Sequence, residues 1–211
     1  GQGHEALYCF EEMQSEHLSP DAITLASILK ACGTIGAIDK GKHIHEEIVR
    51  LALLGDDIVL GNALVDMYVK CGMLIKAQEV FHMLPRRDVV SWNVLLAGYT
   101  QHGLNEEALE FFEEMQDEGI SADAITYACV LKACGSIRCA EKLWTLHAEI
   151  MKKGLEHEML IGSTLVDVYA KCCLIKTAAE VFDSLLVRSG VAWTALMMGY
   201  IDHGQAQQAL D

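Results

Sequence analysis

Apolar residues recur along this chain at the spacing of one-sided helices. Trp92, Leu95, Leu96 and Tyr99 stand at i, i+3, i+4 and i+7, which predicts one apolar stripe. Gly103 and Asn105 then break and recap the chain. Ala108, Phe111, Phe112 and Met115 repeat the interval, and Gly119 ends that second helix. Ala77, Val80, Phe81 and Leu84 carry the same stripe upstream. No hairpin dipeptide separates alternating strands, so the pattern disfavours β-structure.

The pattern also repeats at long range. A slide of about 102 residues superposes much of the chain on itself. It lays Glu11-Glu12-Met13-Gln14 on Glu113-Glu114-Met115-Gln116. It lays Leu29-Lys30-Ala31-Cys32-Gly33 on Leu131-Lys132-Ala133-Cys134-Gly135. One residue drops out near Gly55, after which Leu64-Val65-Asp66 falls on Leu165-Val166-Asp167 and Trp92 on Trp193.

A shorter period lies inside the long one. Asp21, Asp57, Asp88, Asp123, Glu158 and Ser189 each close a unit and precede a short aliphatic pair. The units are 22–57, 58–88, 89–123, 124–158 and 159–189, with partial units at 1–21 and 190–211. The chain therefore reads as a stretch of a longer array. Each complete unit predicts two helices. A lone pair cannot bury its stripe, but stacked pairs bury one another's and wind into a superhelix. The predicted fold is an all-α solenoid of stacked antiparallel helix pairs, its groove lined by the first helix of each unit.

Composition narrows the function. The chain has 211 residues, 52% of them hydrophobic, enough for a substantial core. Thirty acidic against sixteen basic residues give a net charge of −14. That argues against a generic basic nucleic-acid surface and against anionic membranes. It does not argue against a groove whose acids lie on another face. Glu106, Glu107, Glu110, Glu113, Glu114, Asp117 and Glu118 all fall on or beside a predicted second helix. No apolar run approaches the roughly 20 residues of a membrane-spanning helix, and a soluble chain with no membrane partner is expected. No leader opens the sequence, so a targeting segment is expected to be absent or removed. The eight cysteines contain no C-x-x-C pair, so free, mostly buried thiols are expected rather than a metal knuckle. Trp92, Trp144, Trp193, Met13, Met83, Met115, Met197 and Met198 read as core or helix-interface packing.

Longer motifs point to a family. Asp88-Val89-Val90-Ser91-Trp92-Asn93-Val94-Leu95-Leu96-Ala97-Gly98-Tyr99, continued by Glu107-Ala108-Leu109-Glu110-Phe111-Phe112-Glu113-Glu114-Met115, resembles a pentatricopeptide repeat. Leu29-Lys30-Ala31-Cys32-Gly33 followed by Gly41-Lys42-His43-Ile44-His45 resembles the long repeat of the plant PLS subclass. Gly61-Asn62-Ala63-Leu64-Val65-Asp66-Met67-Tyr68-Val69-Lys70-Cys71-Gly72 resembles its short repeat. The order is partial P, L (22–57), S (58–88), P (89–123), L (124–158), S (159–189), partial P.

This resemblance implies a right-handed superhelical solenoid that binds single-stranded RNA at one base per repeat, each base read by two or three side chains. In this family the fifth residue of a repeat meets the base edge and the last residue supports it. The carry-over gives Asn62 with Asp88 and Asn93 with Asp123, each a U reader, and hence a U-U core under 58–123. Ser163 with Ser189 departs from the usual pairs and implies a weak purine preference. Asp21 closes a repeat whose fifth residue is missing, and Thr194 opens a purine-type repeat. Ala26 and Ala128 stand in the fifth place of the long repeats and have no group to read a base. The second residues, Ile23, Val59, Val90, Ile125, Leu160 and Val191, are the family's base sandwich. Lys70 and Lys171 stand where the family contacts phosphate; Gln101 and Asp202 occupy that place in the P repeats. The resemblance further implies a mitochondrial or chloroplast protein, RNA-editing partners, and a role in RNA processing or C-to-U editing.

The residue chemistry agrees. Asn carries both an acceptor and a donor, matching the mixed edge of uracil. A neighbouring carboxylate can accept from the amide and fix its orientation. Three other readings compete. The aspartates serve equally as helix caps. The aliphatic second residues serve equally as packing between repeats. Lys70 and Lys171 serve equally as solvated residues at helix C-termini. His43 with His45, and His147 with Glu149, have metal-like spacing, but the second half of a zinc-deaminase motif is absent. No metal, cofactor, small-molecule substrate or catalytic constellation is expected. The alternative function is a protein-binding scaffold of tetratricopeptide type.

Overall fold

The computed structural model describes residues 2–55 and 57–204. These residues form twelve α-helices and no strand. The helices are α1 (Gln2–Ser15), α2 (Ala22–Ile35), α3 (Ile38–Arg50), α4 (Ile58–Lys70), α5 (Leu74–Met83) and α6 (Val89–Gln101), followed by α7 (Asn105–Asp117), α8 (Ala124–Ser136), α9 (Ala140–Lys152), α10 (Met159–Lys171), α11 (Ile175–Ser184) and α12 (Gly190–Asp202). The last partial unit is described as far as residue 204; its remainder, 205–211, lies outside the described residues. None of the described helices is long and apolar enough to cross a membrane.

The chain divides into two compact units, Gly1–His102 and Gly103–Asp211. In the first, α2 packs on α4 and α4 on α6, while α3 and α5 pack on the helices that precede them. The second repeats the plan: α8 packs on α10, α10 on α12, and α9 and α11 flank them. Helix pairs therefore stack within each unit through their first helices.

The predicted stripes are the core. Trp92, Leu95, Leu96 and Tyr99 are buried, as are Ala108, Phe111, Phe112 and Met115, and Ala77, Val80, Phe81 and Leu84. Phe81 meets Trp92 edge-on, with ring centroids 4.9 Å apart. Each aliphatic or aromatic side chain so buried contributes about 1.5–3 kcal/mol, which an isolated hairpin could not collect. First helices approach closely enough to require glycine. A Cβ at Gly98 would lie 2.8 Å from Cγ1 of Val69, and one at Gly199 would lie 2.8 Å from Cβ of Ala170.

Side-chain placement departs from the sequence reading in several places. Trp144 is 48% exposed, lying against Tyr169, because it sits on the solvent side of α9. Trp193 keeps one face on Phe182 but is also half exposed. Met83, Met197 and Met198 are exposed rather than packed. Only Cys32 and Cys134 among the thiols are fully buried, while Cys9 and Cys173 are exposed; none is in a disulfide. Asn105 does not cap α7. Leu104 is the N-cap, and the Asn105 amide donates to the Gly103 carbonyl at 3.2 Å.

Candidate nucleic-acid interface

The residues that close the sequence units are helix N-caps. Asp21, Asp57, Asp88, Asp123 and Ser189 each accept from a backbone N–H three residues on, satisfying a donor left orphaned by the helix start. Glu158 is the exception; it precedes α10 without a side-chain cap bond. This fixes the entry of every first helix, and so its second residue. Those second residues stand in solvent. Ile23, Val59, Val90, Ile125, Leu160 and Val191 are all exposed, from 44% at Leu160 to 78% at Ile23. Six large aliphatic side chains at one register, none buried, do not serve as packing between repeats.

Two of them flank a cavity of about 520 Å³ between α2 and α4, lined by Ile23, Ala26, Lys30, Val59, Asn62 and Asp66 among others. A comparable cavity of about 510 Å³ lies between α10 and α12, with Asp167, Lys171, Val191, Thr194 and Met198 in its wall.

Two of the residue pairs expected to act together are in hydrogen-bond contact. The Asn62 amide donates to Oδ1 of Asp88 at 3.4 Å, and the Asn62 carbonyl oxygen is buried without a hydrogen-bond partner. Turning the amide over would set that oxygen against a carboxylate, so Asp88 fixes the orientation. Partial burial pushes the Asp88 carboxyl up. The N–H and hydroxyl of Ser91 and the amide of Asn62 outweigh this and hold it below the usual carboxylate range. Ser163 and Ser189 face each other hydroxyl to hydroxyl at 2.7 Å. Asn93 is buried at 7% exposure in the first unit, and Asp123 caps α8 in the second, each described within its own unit. Asp21 is exposed and held low by the Thr24 N–H and then its hydroxyl. Thr194 is exposed and donates to the Gly190 carbonyl at 2.9 Å. Ala26 is half-buried at the wall of the first cavity, and Ala128 is buried.

The cations are distributed differently from the sequence reading. Lys70 bonds Asp66 and Lys171 bonds Asp167, each at 2.6 Å within one helix. Both charges are thus already matched by a carboxylate on the same face. Lys30, one turn beyond Ala26, lines the first cavity and makes no ion pair among the described residues. Sequence reading passed over it, although Lys30 and Lys132 recur in the matching Leu-Lys-Ala-Cys-Gly stretches.

The histidines singled out by spacing are structural. His43 Nδ1 bonds the Asp39 carbonyl, and His45 and His147 bond the hydroxyls of Tyr68 and Tyr169. No group of three metal-ligating side chains exists among the described residues.

The sequence matches the PPR repeat family over residues 87–136, the PPR repeat over 62–89 and 191–211, and the pentatricopeptide repeat domain over 1–34. Together these cover more than half of the chain. The chain belongs to the pentatricopeptide repeat family. A chloroplastic pentatricopeptide repeat-containing protein of Arabidopsis thaliana is 37% identical over 210 residues, covering 100% of this chain and 34% of the relative. A putative mitochondrial one from the same plant is 35% identical over 211 residues, covering 100% of this chain and 33% of its own. The chain spans about a third of the length of these curated relatives. Among solved structures, the pentatricopeptide repeat protein PPR10 in complex with an 18-nt psaJ RNA element aligns with a TM-score of 0.78 at 20% identity, over 99% of this chain and 32% of that one. PPR10 from maize aligns at 0.66 over 97% of this chain. The fold is therefore the all-α superhelical solenoid of stacked helix pairs that this family shares.

Proposed function

We propose that this pentatricopeptide chain binds single-stranded RNA along its first helices, reading bases with the fifth and last residues of its repeats. One observation supports this above the others. An exposed aliphatic side chain, Val59, stands beside an asparagine amide whose orientation is set by a carboxylate, at the edge of a cavity that a base can enter. Uracil offers one N–H donor flanked by two carbonyl acceptors. With one amide hydrogen held by Asp88, Asn62 has a second amide hydrogen for a uracil carbonyl, while its own carbonyl oxygen lies buried and can accept the uracil N–H only where the side chain shifts on binding. Asn93 and Asp123 carry the same residue types at the matching places of the next repeat, and the family's code would make that a second U and the pair a U-U core. Ser163 with Ser189 offers only hydroxyls and favours a purine weakly, and Thr194 begins a further purine-type site. Bases would be held between successive aliphatic residues such as Ile23 and Val59, with contacts weaker than the roughly 1–3 kcal/mol per base of aromatic stacking.

Phosphate neutralisation is thin. Lys70 and Lys171 must release Asp66 and Asp167 before meeting a phosphate, so Lys30 is the better contact in the first unit. Affinity should then fall only shallowly with salt.

The order of long, short and standard units supports a PLS-type array, and the chloroplastic and mitochondrial relatives support an organellar setting. RNA processing, with C-to-U editing foremost, is the process proposed, the chemistry coming from elsewhere in the protein or from editing partners.

Competition binding with short RNAs tests the reading. Asn93→Thr should move the preference at one nucleotide from U towards a purine. An unchanged base profile would remove the assignment. Tight capture of a protein ligand with no RNA binding at any sequence would favour the tetratricopeptide-type scaffold.

A further inference from the structure

Ser91 is completely buried in the first turn of α6 and cannot touch a ligand, yet it is the most heavily connected neighbour of Asp88. Its N–H donates to Asp88 Oδ1 at 2.9 Å, its hydroxyl donates to the same oxygen at 3.0 Å, and its oxygen accepts from the Asp88 N–H at 3.2 Å. The carboxylate oxygen that receives the Asn62 amide is therefore held by two other donors, both from Ser91. Without the hydroxyl the carboxylate would keep only the backbone N–H of position 91, its last torsion would be less restricted, and the amide bonded to it less fixed. We infer that Ser91 is a positioning residue for base choice, locking the Asp88 carboxylate so that Asn62 presents its remaining amide hydrogen to the nucleotide in one fixed orientation.

The chain contains its own comparisons. Thr126 makes the same three contacts with Asp123, at 2.9, 3.0 and 3.2 Å, so the device occurs twice, while Thr24 in the same place after Asp21 bonds it through its N–H at 2.8 Å without the capping box. Ala192 holds the third place after Ser189 and offers only its N–H, at 3.1 Å. There the closing hydroxyl is oriented by Ser163 and one backbone bond alone. The third residue of a repeat thus belongs functionally to the pair that reads the base before it.

The inference rests on the RNA-reading proposal, and two measurements separate the two. In the 211-residue chain, NMR of the Asn62 side-chain amide should show faster hydrogen exchange and a shifted resonance in Ser91→Ala, with parent behaviour restored by Ser91→Thr. Competition with RNAs that vary the nucleotide facing 58–88 should show the preference for U over C and over purines falling severalfold in Ser91→Ala. The preference at the nucleotide facing 89–123 should stay as in the parent, and Ser91→Thr should restore the first. A merely structural cap predicts equal weakening for all four bases. An unmoved Asn62 amide, or equal weakening for all bases, overturns the inference. If Asn62→Ala leaves the base profile as in the parent, the RNA-reading assignment fails and this inference fails with it. If Asn62→Ala flattens the profile while Ser91→Ala does not, only the inference fails.

Discussion

In the short unit 58–88 the fifth residue, Asn62, donates to Asp88 across 3.4 Å; in 159–189 the corresponding Ser163 meets Ser189 at 2.7 Å. Around these unlike pairs the surroundings are duplicated. Gly61 and Gly162 admit the side chains of Leu84 and Leu185. Tyr68 and Tyr169 hold His45 and His147. Lys70 and Lys171 bond the carboxylate one turn back. What places the fifth residue is apolar packing and helix-internal bonding, none of which involves the pair itself. The fifth residue is therefore held in place whatever side chain it carries, while the last residue, Asp88 or Ser189, also caps the helix that follows.

The likeness is most easily broken where backbones meet. Gly98 and Gly199 occupy the same place in the helix that follows each short unit. A methyl group at Gly98 meets both Cγ atoms of Val69 at 2.8 and 2.9 Å, and at Gly199 it meets Cβ of Ala170 at 2.8 Å. Neither neighbour can swing aside as a long side chain would. Gly98→Ala and Gly199→Ala should each cost about 1–3 kcal/mol, the usual penalty of overpacking. Urea denaturation of each variant checks this. If both are as stable as the parent, the helices are not packed as closely as described.

Exchanging the pairs sharpens the comparison directly. Asn62→Ser with Asp88→Ser should abolish U selectivity at one nucleotide, and Ser163→Asn with Ser189→Asp and Ala192→Ser should create it at another. A gained hydrogen-bonded edge is worth about 1 kcal/mol net, or roughly fivefold in relative affinity. Stability should fall modestly in the second exchange, since a satisfied hydroxyl pair gives way to an asparagine whose counterpart, Asn62, has a buried carbonyl oxygen without a partner. A full set of binding competitions against the four bases reads both. Selectivity that stays with the position rather than moving with the pair would sink the idea.

How much of this was legible in the sequence follows from which forces are local. The stripes at Trp92 and Phe111 and the caps at Asp57 and Asp88 depend on neighbours within a turn or two, and both appear where the pattern put them. The ion pair of Lys70 with Asp66 is also local, at i and i+4, and its spacing is visible in the sequence. Contacts between helices were not legible. Nothing in the spacing says that Trp144 faces solvent while Trp92 does not, because burial is decided by which helix lies opposite. The meeting of Asn62 with Asp88, 26 positions apart, came only through family resemblance. Ser91 stands inside the 88–99 motif, yet the side-chain rotamers that give its three bonds to Asp88 are not specified by the spacing alone.

A smaller effect separates the turns that end the first helices. Gly72 ends α4 at φ +74°, and Cys173 stands in the same left-handed conformation at φ 63°. The turn bond spanning it is the same, from the Met73 N–H to the Tyr68 carbonyl and from the Leu174 N–H to the Tyr169 carbonyl, both 2.9 Å. An L-residue in this region costs about 1–2 kcal/mol, partly offset because glycine loses more freedom on folding. Cys173→Gly should therefore raise stability by about 0.5–1 kcal/mol. Gly72→Cys should lower it similarly, with only the His102 ring, 3.9 Å away, near the new side chain. Thermal melts of the two variants should move in opposite directions; movement in the same direction would show that something other than backbone conformation governs the turns.

The smallest effect is in pH. Burial holds His45 and His147 below the ordinary imidazole range; Lys76 depresses His45 further, against Glu46, and Glu156 works against the shift at His147. An unfolded imidazole takes its proton near pH 6.5. Between that value and the lower folded one, the unfolded chain binds more protons, so stability falls as pH drops through the window and these two residues add no slope above it. Asp88, also held low, acts only as pH falls below the ordinary Asp value of about 3.9, whereas the histidine effect sets in already below about 6.5. His45→Gln with His147→Gln, which keeps a partner for each tyrosine hydroxyl, should flatten the stability profile just below pH 6.5 and leave the acid limb unchanged. Lys76→Gln should soften the slope arising at His45 only, and only slightly, because that ammonium is already bonded to Glu79 at 2.8 Å. A slope unaltered by the double replacement would mean that protonation of these imidazoles is not what the folded state resists, and the resemblance between the two histidine–tyrosine pairs would be one of geometry alone.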